Sequence, residues 1–164
     1  MTEVMPQPLT AEAFQAFGVV IEADPAKSFL INDGTTRRFD KLASVEVGEA
    51  GQAAISIFRA SRWPQPIEIR MFERHPLGSQ SFFPLSPHPW LVVVAEDGAA
   101  PSRETCRAFL ARGDQGVQLA AGTWHHPLLV LEASQDFLVV DRTGPGENLE
   151  ECALAGPPCR IALP

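Results

Sequence analysis

The amino-acid sequence predicts an all-β domain with short helices. Short stretches that alternate apolar and polar residues, or that are apolar throughout, recur along the chain at spacings of about 8–12 residues. Turn-forming Gly, Pro, Asn and Asp residues separate these stretches, and the 15 Pro and 12 Gly are enough to end every one of them. We therefore expect a β-sandwich or barrel in a single domain, residues 1–164.

Two short helices are predicted beside the strands. Thr10 is the expected N-cap of a helix over residues 11–17, which Gly18 ends. Ser102 is the expected N-cap of a second helix over residues 103–111, because an apolar stripe at helical spacing follows it. Helices this short do not change the predicted class.

The other periodic segments are predicted to be strands. The run over residues 90–95 is apolar throughout, which indicates a strand buried on both faces. Residues 148–152 are expected to form a short turn of helix, and the Pro-rich residues 156–164 a surface tail. The predicted strands comprise residues 19–22, 29–31, 36–39, 42–47, 53–59, 67–72, 81–84, 90–95, 117–119, 128–132 and 137–141.

Composition and charge limit the classes of partner. The net charge is −7 and no basic run occurs, so we expect neither nucleic acid nor membrane as a partner. Cys106, Cys152 and Cys159 match no zinc motif or disulfide framework, which indicates a reducing compartment. No signal peptide is recognisable, and the longest apolar runs are too short to cross a bilayer. A soluble, cytoplasmic protein is expected.

Residues suited to proton transfer or metal binding concentrate in one short segment. Glu73 and His75 point to the same face if this segment is extended, because side chains alternate along a strand. Residues 76–78 then form a turn, and Gln80 follows on the next extended piece. The alternative is a surface turn that happens to carry a histidine and a glutamate, with Glu73 paired to an arginine.

A second segment supplies two adjacent imidazoles, His125 and His126. Adjacent residues of an extended segment point to opposite faces, so only one of the two should face the site, and His126 is the preferred candidate. A cupin metal site takes its ligands from one hairpin and from a lone His on a later strand, and the spacing here is similar. The candidate metal ligands, if a metal is bound, are His75, Gln80, His126 and Glu73.

Six motifs together resemble one enzyme family, the ureidoglycolate lyases. The resemblance extends from the first predicted helix to Glu151, and the tail at residues 156–164 carries no motif of the family. Asp33, the pair Phe39-Asp40 and His88 depart from the family pattern. In chain order the motifs are FLINDG (29–34), ISIFRA (55–60), FERHPLGSQSF (72–82), WLVVVA (90–95), WHHPL (124–128) and FLVVDR (137–142).

The resemblance implies a fold, a reaction and a partner. The implied fold is a cupin-like β-barrel or jelly roll, and the implied assembly is a homodimer. The implied reaction, a step of allantoin breakdown in purine catabolism, cleaves (S)-ureidoglycolate to glyoxylate and urea. A divalent metal, nickel among others, is the implied cofactor. The alternatives are a cupin-like enzyme acting on another small hydroxy-carboxylate and a non-catalytic binder of such a molecule.

This reaction needs a base for the substrate hydroxyl, an acid for the departing urea nitrogen and a group that binds the carboxylate. Imidazoles suit the proton transfers because their pKa lies near neutrality. The catalytic candidates are His75, Gln80, His126 and Glu73; without a metal, His75 or His126 is the base and Gln80 orients the substrate. The substrate-binding candidates are Asn32 for the urea amide, Arg38, Arg59 and Arg142 for the carboxylate, and His125 and Trp124 beside them.

Each of these candidates has a structural alternative. A single arginine is often ion-paired at the surface without a functional role. Arg74 should point away from Glu73 and His75 by strand alternation, so a structural role is expected for it. Trp124 is equally compatible with the core and with the pocket.

Overall fold

The computed structural model describes residues 3–97 and 100–163. Its only α-helix in those ranges is α1 (Ala11–Phe14), and a 3-10 helix covers Pro25–Lys27. The strands are β1 (Glu3–Val4), β2 (Gln7–Pro8), β3 (Gly18–Ile21), β4 (Ser28–Ile31), β5 (Thr36–Phe39), β6 (Gln52–Ser61), β7 (Glu68–Ile69), β8 (Met71–Arg74), β9 (Gln80–Pro84), β10 (Trp90–Ala95), β11 (Cys106–Ala111), β12 (Gly116–Leu119), β13 (Leu129–Val130), β14 (Ser134–Thr143), β15 (Glu150–Ala153) and β16 (Cys159–Ile161).

Two sheets form the body of the molecule. The larger has five strands in the order β3-β12-β9-β14-β6, and the other has four in the order β13-β10-β11-β2. Buried apolar residues from both sheets make one core between them, in which Trp90 contacts Phe137 and Phe109 contacts Phe14. The architecture is a cupin-like β-sandwich, which confirms the predicted all-β class; among the described residues no strand pairing closes it into a barrel.

Strand β10 is buried on both faces, as its continuous apolar run predicts. Val92 and Val94 belong to the core between the two large sheets. Leu91 and Val93 face the opposite way and pack in a second core with residues of β7, β8 and β16, including Ile69. A strand between two cores has no solvent face, so its sequence has no polar alternation.

The first predicted helix is present but shorter than expected. The Thr10 hydroxyl accepts a hydrogen bond from the Ala13 amide at 3.2 Å, which confirms the N-cap. The helix ends at Phe14, and the chain continues as a turn to Phe17, whose amide donates to the Phe14 carbonyl. Both phenylalanines pack against Phe109, so the contact they make with the core ends the helix after about one turn.

The second predicted helix, over residues 103–111, is wrong. Residues 103–105 form a turn, and β11 pairs with β10 in an antiparallel ladder from Ala111↔Trp90 to Cys106↔Ala95. Pairing beside a fully buried strand outweighs a local helical preference worth only tenths of a kcal/mol per residue. The apolar residues whose spacing suggests a helix instead lie on both faces of a largely buried strand.

Three further expectations are corrected. The predicted strand at residues 42–47 is irregular, and it lies against the outer face of the five-stranded sheet. The predicted helical turn at residues 148–152 gives way to β15, which pairs with β8. Within the predicted surface tail, β16 lies between β1 and β7 with Cys159 and Ile161 buried, because their apolar side chains complete the second core. Pro164 lies outside the described residues.

The predicted strands at residues 29–31 and 36–39 are confirmed, and they pair with each other as a hairpin. Strands β4 and β5 pair from Ser28↔Phe39 to Ile31↔Thr36. Asn32 and Asp33 both have left-handed φ values, 52° and 54°, a conformation that Asn and Asp tolerate better than other non-glycine residues.

In the described part of the chain no helix is long and apolar enough to cross a membrane.

Candidate functional site

Backbone pairing brings the two polar segments of the sequence together. The Glu73 amide donates to the His125 carbonyl at 2.8 Å, and the His125 amide donates back to the Glu73 carbonyl at 2.8 Å. Residues paired in this way across antiparallel backbone have neighbouring side chains on one face. His75 lies two residues after Glu73 and therefore faces the same way.

Three side chains converge as a result. One ligand atom each from Glu73, His75 and His125 lies within 4.8 Å of the other two. The two imidazole rings are 5.2 Å apart between centroids, and His125 Nε2 lies 3.5 Å from Glu73 Oε1. His125 is buried, whereas Glu73 and His75 are partly buried. The predicted convergence of Glu73 and His75 with one histidine of the pair is thus present.

Both imidazoles are oriented by backbone carbonyl groups. His75 Nδ1 donates to the Asn148 carbonyl at 2.8 Å, and His125 Nδ1 donates to the Thr123 carbonyl at 2.9 Å. A carbonyl oxygen only accepts, so the proton of each neutral imidazole resides on Nδ1 and the lone pair on Nε2. Both Nε2 atoms are buried and form no hydrogen bond with any described residue, although His125 Nε2 lies 3.5 Å from Glu73 Oε1. Metal-ligating and proton-accepting histidines are oriented in the same manner.

Asn148 also fixes the turn that follows His75. Its side-chain oxygen accepts a hydrogen bond from the Leu77 amide at 2.8 Å, while its own carbonyl orients His75. The sequence pattern contains no signal for this role, because Asn148 lies 73 residues from His75 and on no periodic segment.

Gln80, the third polar residue of the first segment, is oriented by a carboxylate on the neighbouring strand β14. It is the first residue of β9, and its Nε2 donates to Asp141 Oδ2 at 3.2 Å. A carboxylate accepts hydrogen bonds, so this contact assigns the amide orientation and leaves Oε1 turned the other way. Gln80 Oε1 is buried without a partner. The predicted site residues do not include Asp141. A sequence signal for it exists, because strand alternation places this carboxylate on the same face of β14 as the core residues Phe137 and Val139.

Two of these residues, Glu73 and Gln80, line a cavity of about 530 Å³, a size that suits a small organic molecule, and His75 and His125 lie behind Glu73 outside its lining. Glu73 and Gln80 provide its polar wall, and aromatic and aliphatic side chains make most of the remainder. The lining residues are Phe58, Arg59, Ala60, Ser61, Arg62, Trp63, Glu73, Gln80, Phe82, Pro127 and Leu128.

The electrostatics of the cluster require a cation or a proton. The contact with His125 lowers the pKa of Glu73 below its usual value, against the burial that would raise it, so Glu73 carries a negative charge. A carboxylate oxygen that faces two imidazole lone pairs is unfavourable unless a positive charge lies between them. Two imidazole nitrogens and one carboxylate form a set that divalent transition metals accept, so Glu73, His75 and His125 fit such an ion.

The other histidine of the pair faces away. His126 packs edge-on against Trp63, with ring centroids 4.9 Å apart, and its Nδ1 donates to the Pro127 carbonyl. It lines a separate cavity of about 260 Å³ with Trp63 and Glu68. Burial lowers the pKa of His126 below its usual value, so it is neutral at neutral pH. The opposite-face prediction is confirmed, and the preference for His126 as the inward residue is corrected to His125, because the pairing with Glu73 turns His125 inward.

The predicted substrate-binding residues are dispersed. Arg59 lines the cavity, but both its Nε and Nη2 donate to the carboxylate of Asp136, at 2.8 and 2.9 Å. Arg38, on β5, forms an ion pair with Asp40 just after the strand, with 2.7 Å between Nε and Oδ1. Neither Arg38 nor Asn32, which occupies the hairpin turn, lines the cavity.

Two other candidates have structural roles in the protein. Arg142 donates to the carbonyls of Val47 and Pro145 and so ties two loops together. Trp124 lies beneath the Arg74 guanidinium, whose carbon is 4.4 Å from the ring centroid. Arg74 itself pairs with Glu150, which agrees with the structural role expected for it.

Comparison with known proteins gives the family. The family model for ureidoglycolate lyase matches residues 1–161. The chain belongs to the ureidoglycolate lyase family. It is 58% identical to the ureidoglycolate lyase of Brucella melitensis over 147 residues, which cover 88% of this chain and 86% of that relative. It is 53% identical to the ureidoglycolate lyase of Pseudomonas putida over 152 residues, covering 92% and 91%, and 51% identical to that of Pseudomonas syringae pv. syringae, covering 92% and 89%.

The match confirms the family that the six motifs indicate. It also spans both segments of the site, since residues 73–80 and 122–127 lie inside the matched range. Membership in the ureidoglycolate lyase family therefore applies to the part of the chain that carries the cluster and the cavity.

Proposed function

We propose that this protein is an enzyme that cleaves ureidoglycolate to glyoxylate and urea. The family match and relatives named ureidoglycolate lyase support this activity. The observation that carries it is the set of buried, unpartnered acceptor atoms, His75 Nε2, His125 Nε2 and Gln80 Oε1, beside the charged Glu73. Such a set is suited to accepting a hydroxyl proton and to orienting polar hydrogens.

The chain's own residues supply the proton transfers. Nε2 of His75 or His125 accepts the proton of the substrate hydroxyl as the C–O bond becomes the aldehyde double bond of glyoxylate. The C–N bond breaks, its electron pair remains on the urea nitrogen, and the imidazolium returns the proton to that nitrogen. The reaction is an elimination in which no water is consumed. The negative Glu73 stabilises the imidazolium while it exists.

Gln80 and the cavity wall orient the substrate. Oε1 of Gln80 accepts a hydrogen bond from the substrate hydroxyl or from a urea N–H group, and Asp141 keeps the amide in that orientation. The apolar side chains in the cavity wall lower the local polarity, which strengthens each polar contact beside them. His126 has no place in this scheme, because it faces the neighbouring cavity.

A divalent metal is compatible with the same residues. Glu73, His75 and His125 would hold it. When bound, it would lower the pKa of the substrate hydroxyl and so make that proton easier to remove.

A direct assay tests both the activity and the metal. Chelator-stripped protein is incubated with racemic ureidoglycolate, and glyoxylate, urea and ammonia are measured before and after divalent metals are added back. Equimolar urea and glyoxylate support the lyase. Dependence on an added metal assigns a ligand role to the cluster, and full activity without metal assigns it the acid–base role alone. Absence of glyoxylate under every condition would falsify the proposed reaction and leave another small hydroxy-carboxylate as the substrate.

The setting of the reaction is part of the proposal. We propose that the protein acts in the cytoplasm on ureidoglycolate derived from allantoin, within purine catabolism. Cys106, Cys152 and Cys159 are all free thiols, which suits a reducing compartment.

We also propose that the protein is a homodimer. The outer face of the five-stranded sheet supports this, because Ile55 and Ile57 on β6 are 74% and 55% exposed and Val19 on β3 is also exposed. An apolar surface of this kind on a sheet marks a contact with another protein chain.

A further inference from the structure

Two arginines lie in the wall of the cavity beside the cluster, and they differ in what they contact. Arg59, on β6, directs two of its nitrogens at the carboxylate of Asp136 in a bidentate pair. This contact raises the pKa of the Arg59 guanidinium above its ordinary value. A ligand carboxylate would have to compete with Asp136 for the same donors, so Arg59 is a poor anion site.

Arg62 has no such partner. Its backbone amide donates to the Ala133 carbonyl at 3.1 Å, which anchors the residue just beyond the end of β6. Its guanidinium makes no ion pair and no side-chain hydrogen bond with any residue in 3–97 or 100–163. Every other arginine described in the structure has at least one such contact; the ten are Arg37, Arg38, Arg59, Arg70, Arg74, Arg103, Arg107, Arg112, Arg142 and Arg160.

A substrate carboxylate in this cavity needs a positive group beside it, and Arg62 is in the cavity wall. Ureidoglycolate carries a carboxylate, and Glu73 already places a negative charge in the same wall. A second anion entering this cavity is repelled unless a positive group faces it. A free guanidinium offers two parallel N–H donors that match a carboxylate, and it stays charged at any working pH.

We infer that Arg62 is the residue that binds the substrate carboxylate, an inference that rests on the proposed function. The carboxylate lies against Arg62, and the carbon that bears the hydroxyl and the urea nitrogen faces Glu73, His75 and Gln80. Arg62 therefore selects for substrates with a carboxylate next to the reacting carbon. It is a substrate-binding residue that takes no part in the proton transfers.

The test compares Arg62→Gln with two matched variants. Arg62→Gln is expected to raise KM for ureidoglycolate by about 10- to 100-fold, the loss of one bidentate charged contact, with a smaller change in kcat. Arg62→Lys keeps the charge and is expected to recover part of the loss. Arg112→Gln, which removes an exposed charge that does not line the cavity, is expected to match the wild type.

The two products separate a binding role from a structural one. Glyoxylate carries the carboxylate and urea does not. Arg62→Gln should weaken inhibition by glyoxylate by the factor seen in KM and leave inhibition by urea unchanged. Equal weakening by both products would show a general disturbance of the cavity and overturn the inference.

Two further results would overturn it. The first is an Arg62→Gln variant whose KM for ureidoglycolate and inhibition by glyoxylate equal those of the wild type. The second is a weakening of substrate and glyoxylate binding in an Arg59→Gln variant that is absent from Arg62→Gln. Calorimetric titration of glyoxylate into wild-type and Arg62→Gln protein requires no turnover. If the wild type fails to cleave ureidoglycolate, the proposed function fails, and this titration still decides the role of Arg62: weaker binding to the variant supports it, and equal binding excludes it.

Discussion

At the scale of single residues, the difference between His125 and His126 decides the chemistry. The two are adjacent and both are buried, yet one faces Glu73 and His75 and the other faces Trp63. Strand alternation makes them differ, and the backbone pairing with Glu73 decides which one faces inward. Residue type alone would assign them the same role.

The first prediction contrasts these two histidines. His125→Ala should lower kcat/KM by roughly 100- to 10,000-fold, the usual contribution of a positioned acid–base group. His126→Ala should cost at least ten times less, because its effect comes only through packing on Trp63. Steady-state kinetics of both variants, with circular dichroism to confirm folding, measure this. Equal losses would contradict the assignment of His125 to the site.

The second prediction concerns the charge of Glu73. Its pKa is lowered in the folded protein, chiefly by the contact with His125, so the unfolded chain binds more protons near the ordinary glutamate pKa of about 4.3. The resulting stabilisation is present above that pKa and is lost as the pH falls through the lower folded-state value. The melting temperature of the wild type should therefore fall relative to that of Glu73→Gln as the pH is lowered from 6 through this range. A difference that is independent of pH would contradict the ionised Glu73.

At the scale of elements, β11 shows how a buried neighbour overrides local preference. Its residues have an apolar spacing compatible with a helix, and the ladder with β10 makes them a strand. The result places Phe109 in contact with Phe14 and Phe17, so the first helix and the core depend on the same ring. The elements that form the site are held in the same way, since β8 is paired with β15 and Gln80 begins a strand in the middle of a sheet.

The third prediction tests this packing. Phe109→Ala should lower the free energy of unfolding by about 3–5 kcal/mol, because a fully buried ring is removed and a cavity is left. Leu85→Ala is the control; the Leu85 side chain is more than half exposed, and its loss should cost no more than about 0.5 kcal/mol. Urea unfolding followed by fluorescence measures both. Similar costs for the two variants would contradict the assigned place of β11 in the core.

At the scale of the whole molecule, the two faces of the five-stranded sheet differ. The inner face is in the core and carries Gln80 towards the cavity, whereas the outer face carries exposed apolar side chains, Ile55 and Ile57 among them. The irregular segment at residues 42–47 covers part of it and leaves the end near β6 exposed. The cavity and the proposed dimer surface thus lie on opposite sides of one sheet.

The fourth prediction concerns this outer face. The wild type should be a dimer by light scattering, and Ile55→Asp should be a monomer, because dimerisation would bury an unpaired carboxylate. Met5→Asp, a change of the same kind at an exposed residue outside this face, should remain a dimer. A monomeric wild type would contradict the homodimer, and a dimeric Ile55→Asp would exclude this surface.

Local features were predictable from the sequence because backbone geometry alone sets them. Alternation along a strand places Glu73 and His75 on one face and separates His125 from His126, whatever the rest of the chain does. The Asn32-Asp33 turn follows from the tolerance of these residues for left-handed φ. The apolar run of β10 predicts burial on both faces, and the family follows from motifs that are themselves local strings of residues.

The tertiary structure alone decided which partners these groups found. Arg59 is engaged by Asp136, 77 residues away, while the Arg62 side chain, three residues further along, has no partner among residues 3–97 and 100–163. Gln80 is oriented by Asp141 and His75 by Asn148, across separations of 61 and 73 residues. Such contacts depend on which strands become neighbours in a sheet, which is set by the packing of the whole core and not by any short stretch. The residue types of the site were therefore visible in the sequence, and their roles were assigned by the sheets that brought them together.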